Sequence, residues 1–558
     1  MSAMIRDIDR LSSDTFDVLV VGGGVYGLAV AYDAAQRGLS VALIERDDFG
    51  SGASFNHHRI IHGGLRYLQH FDIGRARESV RERRAIARIA PHTVRPLSFA
   101  VPLYRSLVRG KLAMHAGFLL DRFVSAGRNR GVPASHRLPA GRVVSRGTAI
   151  QRYPGLRRQG LTGAAVFYDY VTLEPDRLTF AFAIASVEHG ASIANHVDAL
   201  EPIVESRRVA GVRARDLLDG RQFDIAARVT VNATGSHVDR LLKPLGITSG
   251  IPMFKVMNLV TSRDAGDEAL AGRSLLGRNL FLVPWRERAL FGTWESQTTC
   301  DPCDANVDER DVASFVTELN QAFPSLDLTL KDVTLVHRGV VPAAVGRGKV
   351  SLEGRDLVRD HASQGIEGLV SVVGTKYTTA RAVAERVTEV LLTKSGCAST
   401  ACRTASVALP GGSLRDVGLA IADARRDHDA GLPSDTIPHL IAAYGSRYRD
   451  LLDIADRPEW RKRIAKDSPV IGAELVWAVR KEMAITLADA VIRRTPLGAL
   501  GYPGDDALER AAAIVGAELK WSEARRREEI ASVAAFYRGP ERPVPQPERP
   551  APQVWERQ

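Results

Sequence analysis

The stretch FDVLVVGGGVYGLAVAYDAAQRGLSVALIE, Phe16 to Glu45, decides the fold. Phe16 to Val21 is a short apolar, β-branched run of the kind that a parallel sheet buries. Gly22, Gly24 and Gly27 follow in G-x-G-x-x-G spacing. Val30 to Arg37 reads as a helix stopped by Gly38, and Val41 to Ile44 returns as a strand ending at Glu45, 23 positions after Gly22. Strand, glycines, helix, strand and acid in that order make a dinucleotide-binding unit. Gly22 lets the chain turn, Gly24 lets backbone N–H groups approach a pyrophosphate, and Gly27 brings helix and strand together. The helix N-terminus favours the anion. Glu45 accepts hydrogen bonds from a ribose 2′-OH and would repel a 2′-phosphate, so NADP is disfavoured.

A chain of 558 residues exceeds one core, and two or three domains are expected. Apolar content of 45% and charged content of 25% suit a globular protein. The net charge of +10 suits an anionic substrate or an anionic membrane surface; it is dispersed and no nucleic-acid motif accompanies it, so no nucleic acid is expected as a partner. No signal peptide is read at the N-terminus, and no run of about 18 apolar residues marks a membrane span. Four cysteines imply no disulfide framework. Cys300 and Cys303 form a C-x-x-C around the turn dipeptide Asp301-Pro302, with Cys397 and Cys402 loosely spaced beyond, and no metal is assigned.

Along the chain, residues 1–14 read as a flexible leader. Residues 15–393 interleave a dinucleotide-binding domain (about 15–75, 155–245 and 350–393) with a substrate domain (about 76–154 and 246–349). Within the latter, 73–90 has helical spacing with a solvated arginine face. Residues 95–153 look irregular, and 251–345 looks rich in strands. A Ser-, Cys-, Thr-, Pro- and Gly-containing segment, 394–412, reads as a linker. Residues 413–538 read as an all-α domain with helical stretches at 436–444, 471–493 and 505–536. The proline-rich tail, 539–558, reads as disordered.

Two later segments also end a strand at glycine: Thr230-Val-Asn-Ala-Thr-Gly235, and Leu369 to Val373 followed by Gly374-Thr375-Lys376. Three such turns are the plan of a two-dinucleotide-domain flavoprotein: an α/β chain with a Rossmann-like FAD-binding domain and a mixed-sheet substrate domain. An NAD dehydrogenase would not need the two later turns, so FAD is the expected cofactor.

The run His62-Gly63-Gly-Leu-Arg66-Tyr67-Leu68, preceded by Arg59-Ile-Ile, resembles the signature of FAD-dependent glycerol-3-phosphate dehydrogenases. Agreement continues in Val231-Asn-Ala-Thr-Gly235, Val283-Pro-Trp285, Gly292-Thr293, Lys376-x-Thr378-Thr379-x-Arg381, and Glu482 to Thr495 of the helical end. The resemblance implies hydride transfer from C2 of sn-glycerol 3-phosphate to FAD, with electrons passed to quinone or, in some relatives, to oxygen. It implies cofactor contacts from Gly22, Gly24, Gly27, Glu45, Arg46, Ser54, Arg59, Gly63, Gly235, Gly374, Thr375 and Lys376. It implies substrate contacts from Lys376, Arg66 and Tyr67, and a cytoplasmic protein held peripherally on the inner face of the membrane. A homodimer stays open, as does a flavin tether through His57 or His58.

Three substrate-side segments depart from the family pattern. The G-[VI]-R-P element, which supplies a phosphate-binding arginine, is Gly339-Val340-Val341-Pro342; Arg338 is the candidate replacement, although strand alternation aims it with Val340. The Lys-Gly-Ser-His element is Lys255-Val-Met-Asn258, and Gly-Thr-Thr-Asp is Gly292-Thr-Trp294-Glu295. The FAD segments are intact. A flavin enzyme acting on another hydroxy compound or an amine is therefore the alternative, and a flavin-binding protein with little catalysis is a second one.

Overall fold

The computed structural model describes residues 3–538 except 69–70, 106–109, 154, 276, 347–348, 399, 429–431 and 456; the proline-rich tail expected to be disordered lies outside the described residues. The opening stretch forms β1 (Thr15–Val21), α2 (Val25–Gln36) and β2 (Val41–Ile44). The helix begins five residues before the expected Val30, because Gly24 stands at its N-cap and Gly27 lies inside its first turn. β1 and β2 pair in parallel. Val18 and Val20 feed the core on one face of the sheet, while Leu19 and Val21 feed the core on the other. Burial on both faces explains the unbroken apolar run.

Further elements complete this sheet: α5 (Pro175–Glu188), β5 (Ser192–Ala194), β6 (Gln222–Asn232), β13 (Leu357–Asp360), β14 (Leu369–Val373) and α7 (Ala380–Ser395). The strand order is β13-β14-β6-β1-β2-β5. Helices α2, α5 and α7 cover one face; the other is closed by the antiparallel pair Val197–Glu205 and Arg208–Asp216.

The leader is not loose. It contains α1 (Ile8–Ser13), whose Leu11 enters the second core, and Arg6 pairs with Asp216 at 2.7 Å. Met4 and Leu11 in the two cores, and the ion pairs Arg6–Asp216 and Arg221–Asp9, hold a segment whose composition reads as polar.

The second sheet carries the substrate side. Its strands are β3 (Val94–Tyr104), β4 (Leu161–Thr172), β7 (Met253–Thr261), β8 (Ala269–Arg273), β9 (Asn279–Trp285), β10 (Arg288–Thr299), β11 (Val333–Gly346) and β12 (Lys349–Leu352). They run β12-β11-β7-β10-β9-β8-β3-β4, ending on the short strand Ile60–Ile61. Helix α6 (Glu309–Ala322) packs Phe315 and Leu319 against Met257 and Leu259. The expected irregularity of 95–153 is corrected. β3 pairs along its whole length with β4, and α4 (Lys111–Val124) follows it. Pro96 and Pro102 read as strand breakers, yet both lie within the paired region. Likewise α3 (Ile73–Ile89) is not arginine-solvated throughout: Arg83 is buried on Asp169, and Glu82 is buried on Arg381 of α7.

The C-terminal helices include α8 (Thr436–Tyr444), α9 (Gly472–Glu482), α10 (Asp505–Leu519) and α11 (Glu523–Arg538). The stretch 471–493 does not run as one helix. α9 stops at Met483 in the left-handed region, and Asp489 accepts the N–H groups of Ile485 and Thr486. The stretch 505–536 breaks likewise at Lys520. The 394–412 segment connects the domains but is fastened down. Leu409 is buried with its N–H on Ile89 O at 2.8 Å, and Thr404 receives Arg381.

Buried charge pairs join the helices to the first sheet. Arg494 pairs with Asp48, Arg177 forms a two-bond pair with Glu482 (2.5 and 2.7 Å), and His196 meets Asp489 at 3.0 Å. Asp48 and Arg494 are both solvent-shielded, so removing one strands the other. Arg494→Met should destabilise the fold by about 3–5 kcal/mol, read as a lower urea midpoint. Arg37 is also buried and meets the exposed Glu389 at 2.6 Å and the buried Asp33 at 3.2 Å, so its truncation should strand Asp33 in the same way.

Candidate functional site

At the first turn, Gly22 has φ +108°, and a Cβ there would lie 2.6 Å from Ala233 O at the end of β6. A Cβ on Gly27 would overlap the carbonyl oxygen of Gly22. The turn therefore accepts no side chain at either place. Glu45 is half-buried and accepts N–H groups from Gly23 (2.6 Å) and Asp47 (2.9 Å). Burial raises its pKa above the usual carboxylate range, while those two donors oppose the shift. Ser54 Oγ accepts the Val25 N–H at 2.9 Å and so sits at the N-terminus of α2, where a pyrophosphate would bind. Arg46 lies on the surface against Asp47 at 3.4 Å. Gly235, with φ +60°, closes the β6 turn.

Two strands across from β1, at the same end of the parallel sheet, β14 delivers Gly374, Thr375 and Lys376. Gly374 lies against Tyr26, whose hydroxyl donates to Lys376 O at 3.0 Å and to Asp356 at 3.3 Å. Tyr26 follows the glycine turn by two residues, so one side chain ties both ends of the cofactor cradle together. Thr375 Oγ1 donates to Glu353 O. His57 stacks on Tyr377 with ring centres 4.2 Å apart. Buried His57 Nε2 and Thr379 Oγ1 have no partner, which fits a polar ring system held between the histidine loop and the β14 turn. The residues present thus fit FAD, with the adenosine end at Gly22, Gly24 and Glu45 and the flavin end at His57 and Lys376.

Lys376 Nζ lies 4.1 Å from the centre of the Tyr67 ring. Arg75 and Arg66 stand 5.1 and 5.8 Å from the same ring, so three cations gather around one aromatic ring. Beside them a cleft of about 710 Å³ runs between α3 and the turn at 354–356, lined by Arg75, Arg77, Arg355, Asp356 and Lys376 among others. Arg75, Arg355 and Tyr26 were not singled out in the sequence. They come from separate segments, and no spacing links them.

His62 points largely to solvent, 3.7 Å from Asp169, and its N–H bonds Thr378. The Gly63 N–H donates to Asp169 at 2.7 Å, within the buried Arg83–Asp169 pair. Arg59 is fully buried: it donates to Phe55 O (2.5 Å) and contacts His337 Nε2 (3.1 Å), with its guanidinium 4.8 Å from the Trp285 ring.

The register of β11 on β7 settles the departed positions. Phe254 faces Val341 and Val256 faces Gly339, whereas Met257 faces Arg338 and Lys255 faces Val340. Val341 packs with Phe254, Val256, Ala343, Val350 and Leu352. Arg338 lies on the opposite face of the strand, so it does not replace the missing arginine; the alternation of side chains forbids it. Asn258 is buried, donating to Asn56 O at 2.8 Å and accepting from Thr293 at 2.9 Å. Glu295 lies across β10 from Val256, and burial raises its pKa against the opposing fields of Arg278, Arg66 and Lys349. Burial also lowers the pKa of His58 to about 3 and those of His57 and His337 well below the usual value.

A protein-family model described as FAD dependent oxidoreductase matches residues 17–390, and one described as the C-terminal domain of alpha-glycerophosphate oxidase matches residues 402–526. The curated glycerol-3-phosphate dehydrogenase of Synechocystis sp. is 31% identical over 516 residues, 88% of this chain and 91% of that protein. The mitochondrial glycerol-3-phosphate dehydrogenase of Rattus norvegicus is 30% identical over 553 residues, 94% of this chain and 73% of that protein. The solved glycerol-3-phosphate dehydrogenase of Bacillus halodurans, complexed with FAD, matches with TM-score 0.76 and 23% identity over 98% of this chain and 100% of that one.

Two measurements probe this site. Gly27→Ala should yield protein with most of its flavin lost, read from the ratio of visible to ultraviolet absorbance. The neutral histidines set a pH dependence. Their folded pKa values lie below the unfolded value of about 6.5, so their contribution is complete above that pH and is lost as pH falls towards 3. Unfolding midpoints measured from pH 7 to 4 should fall, and His58→Asn should flatten that slope.

Proposed function

The chain belongs to the FAD-dependent glycerol-3-phosphate dehydrogenase family, and on that footing we propose that it oxidises sn-glycerol 3-phosphate to dihydroxyacetone phosphate. When bound, FAD supplies the two-electron acceptor, with the C2 hydride taken at N5 and the electrons passed on to quinone. The observation that carries this reading is the gathering of Lys376, Arg66 and Arg75 about Tyr67 beside an open cleft. Lys376, at the flavin end of the sheet, holds the C2 oxygen and stabilises the negative charge that grows on it as its proton leaves. Arg66 and Arg75, kept in place by the Tyr67 face, hold the phosphate dianion, and Arg355 adds charge at the cleft. Asn258 is spent on Asn56 and Thr293, so the hydroxyl proton passes not to it but to water in the open cleft beside Lys376.

The apolar setting of Val341 favours a second reading on the same site, a different hydroxy compound or an amine as substrate. Anaerobic mixing with sn-glycerol 3-phosphate separates the two. Rapid bleaching of the visible flavin band supports the first reading, and Lys376→Met should slow it about 100-fold or more while flavin content is kept. Bleaching by an unphosphorylated hydroxy acid or amine, with none by the phosphate ester, selects the second. No helix of the described residues is long and apolar enough to cross a membrane, so a quinone acceptor would be met at a surface.

A further inference from the structure

The cleft of about 710 Å³ beside Lys376 is larger than one phosphate needs. Volumes of that size hold drug-sized ligands, and a three-carbon ester would fill only the end at Lys376. One wall is helix α3, on which Arg75 stands at the Tyr67 edge. Arg77 and Arg81 line the cleft further on. Four residues apart, they share one face of the helix, and Arg81 lies about 9 Å beyond Arg75 along its axis. Arg355 reaches the same cleft from the opposite wall.

The charges of this cleft do not balance. Five cations and three carboxylates line it, and all three carboxylates are taken. Asp72 pairs with Arg75, while Glu78 (2.6 Å) and Asp356 (3.0 Å) both pair with Arg386. Arg77 and Arg355 are exposed, and neither side chain has an ion pair among the described residues; Arg355 gives only its backbone N–H, to Glu353 at 2.8 Å. Arg81 meets Glu82 at 3.1 Å, but Glu82 is buried and already takes two bonds from Arg381 (2.6 and 2.7 Å). Like charges one turn apart oppose a helix, and Arg77 and Arg81 are such a pair. An anion held between them removes the repulsion.

We propose that Arg77 and Arg81, with Arg355 across the cleft, form a second anion subsite. It takes a phosphate or carboxylate at the far end of a ligand whose first phosphate lies at Lys376, Arg66 and Arg75. The ligand class is a polyol chain with an acidic group at each end, the two about 9 Å apart. This rests on the phosphate site read above and deepens it. A longer, doubly anionic ester makes charge-assisted hydrogen bonds at the outer arginines that glycerol 3-phosphate cannot reach.

The test is calorimetric titration of oxidised holoenzyme with hexane-1-phosphonate and hexane-1,6-bisphosphonate, phosphate mimics with no hydroxyl to oxidise. The bisphosphonate should bind about tenfold or more tightly than the monophosphonate. Ethane-1,2-bisphosphonate, of the same charge but too short to span the cleft, should lack that advantage. The double variant Arg77→Gln, Arg81→Gln should lose the advantage while keeping monophosphonate affinity and flavin content. Equal affinity of the long and short bisphosphonates would leave total charge as the only factor and overturn the proposal, as would a double variant that keeps the parent's preference. Inorganic phosphate that binds beside the monophosphonate, and no longer does so in the double variant, would give the subsite to a free anion and overturn the two-ended ligand. No binding by any phosphonate would overturn the first phosphate site together with the second. Monophosphonate binding without the advantage would overturn only the second, so the two failures are distinct.

Discussion

The contact between Gly27 and the Gly22 carbonyl is the constraint on which this molecule rests. Helix α2 reaches the end of β1 only because neither residue carries a side chain, and the same approach lets Gly22 sit under Ala233 at the end of β6. Three strands and a helix N-terminus thereby converge on one point. From that point Tyr26 reaches across to Lys376 and Asp356, so the glycine turn and the turn after β14 are tied together by adjacent residues of one helix. A shift in the glycine turn would be felt at the far end of the cofactor.

Charge does the joining elsewhere. Arg494 with Asp48, Arg177 with Glu482, and Arg381 with Glu82 are buried pairs between segments distant in sequence. Such pairs are weak evidence for net stability, because desolvation offsets most of their attraction. They do penalise misplacement, since a helix docked one turn away would leave a charge buried alone. The substrate side is arranged differently. Arg75 is paired with Asp72, and with Lys376 and Arg66 it gathers around the Tyr67 ring, at the edge of an open cleft where a ligand can reach them.

That difference accounts for what could be read in advance. The glycine turn, the acid at Glu45 and the late glycine after β14 are local patterns, so their places followed from spacing. The loss of the arginine at Val341 followed too, whereas Arg338 stood as the candidate replacement until the register of β11 on β7 set it opposite Met257, on the other face from Val341. The leader, the long strand β3 and the fastened 394–412 segment were misread because contacts with distant segments decide them. These are Leu11 in a core, a pairing partner that accommodates two prolines, and Leu409 against Ile89.

The sequence by itself determined the cofactor and the chain's family, since both depend on residue types at short fixed separations. Tertiary structure alone decided which cations face one another. Arg66 and Arg75 come from either side of a loop, Lys376 from the end of a strand about 300 residues on, and their meeting at Tyr67 depends on two sheets and a helix packing as they do. It alone decided that Asn258 is occupied. Contact between distant segments has no period, and so it leaves no signature in the order of residues.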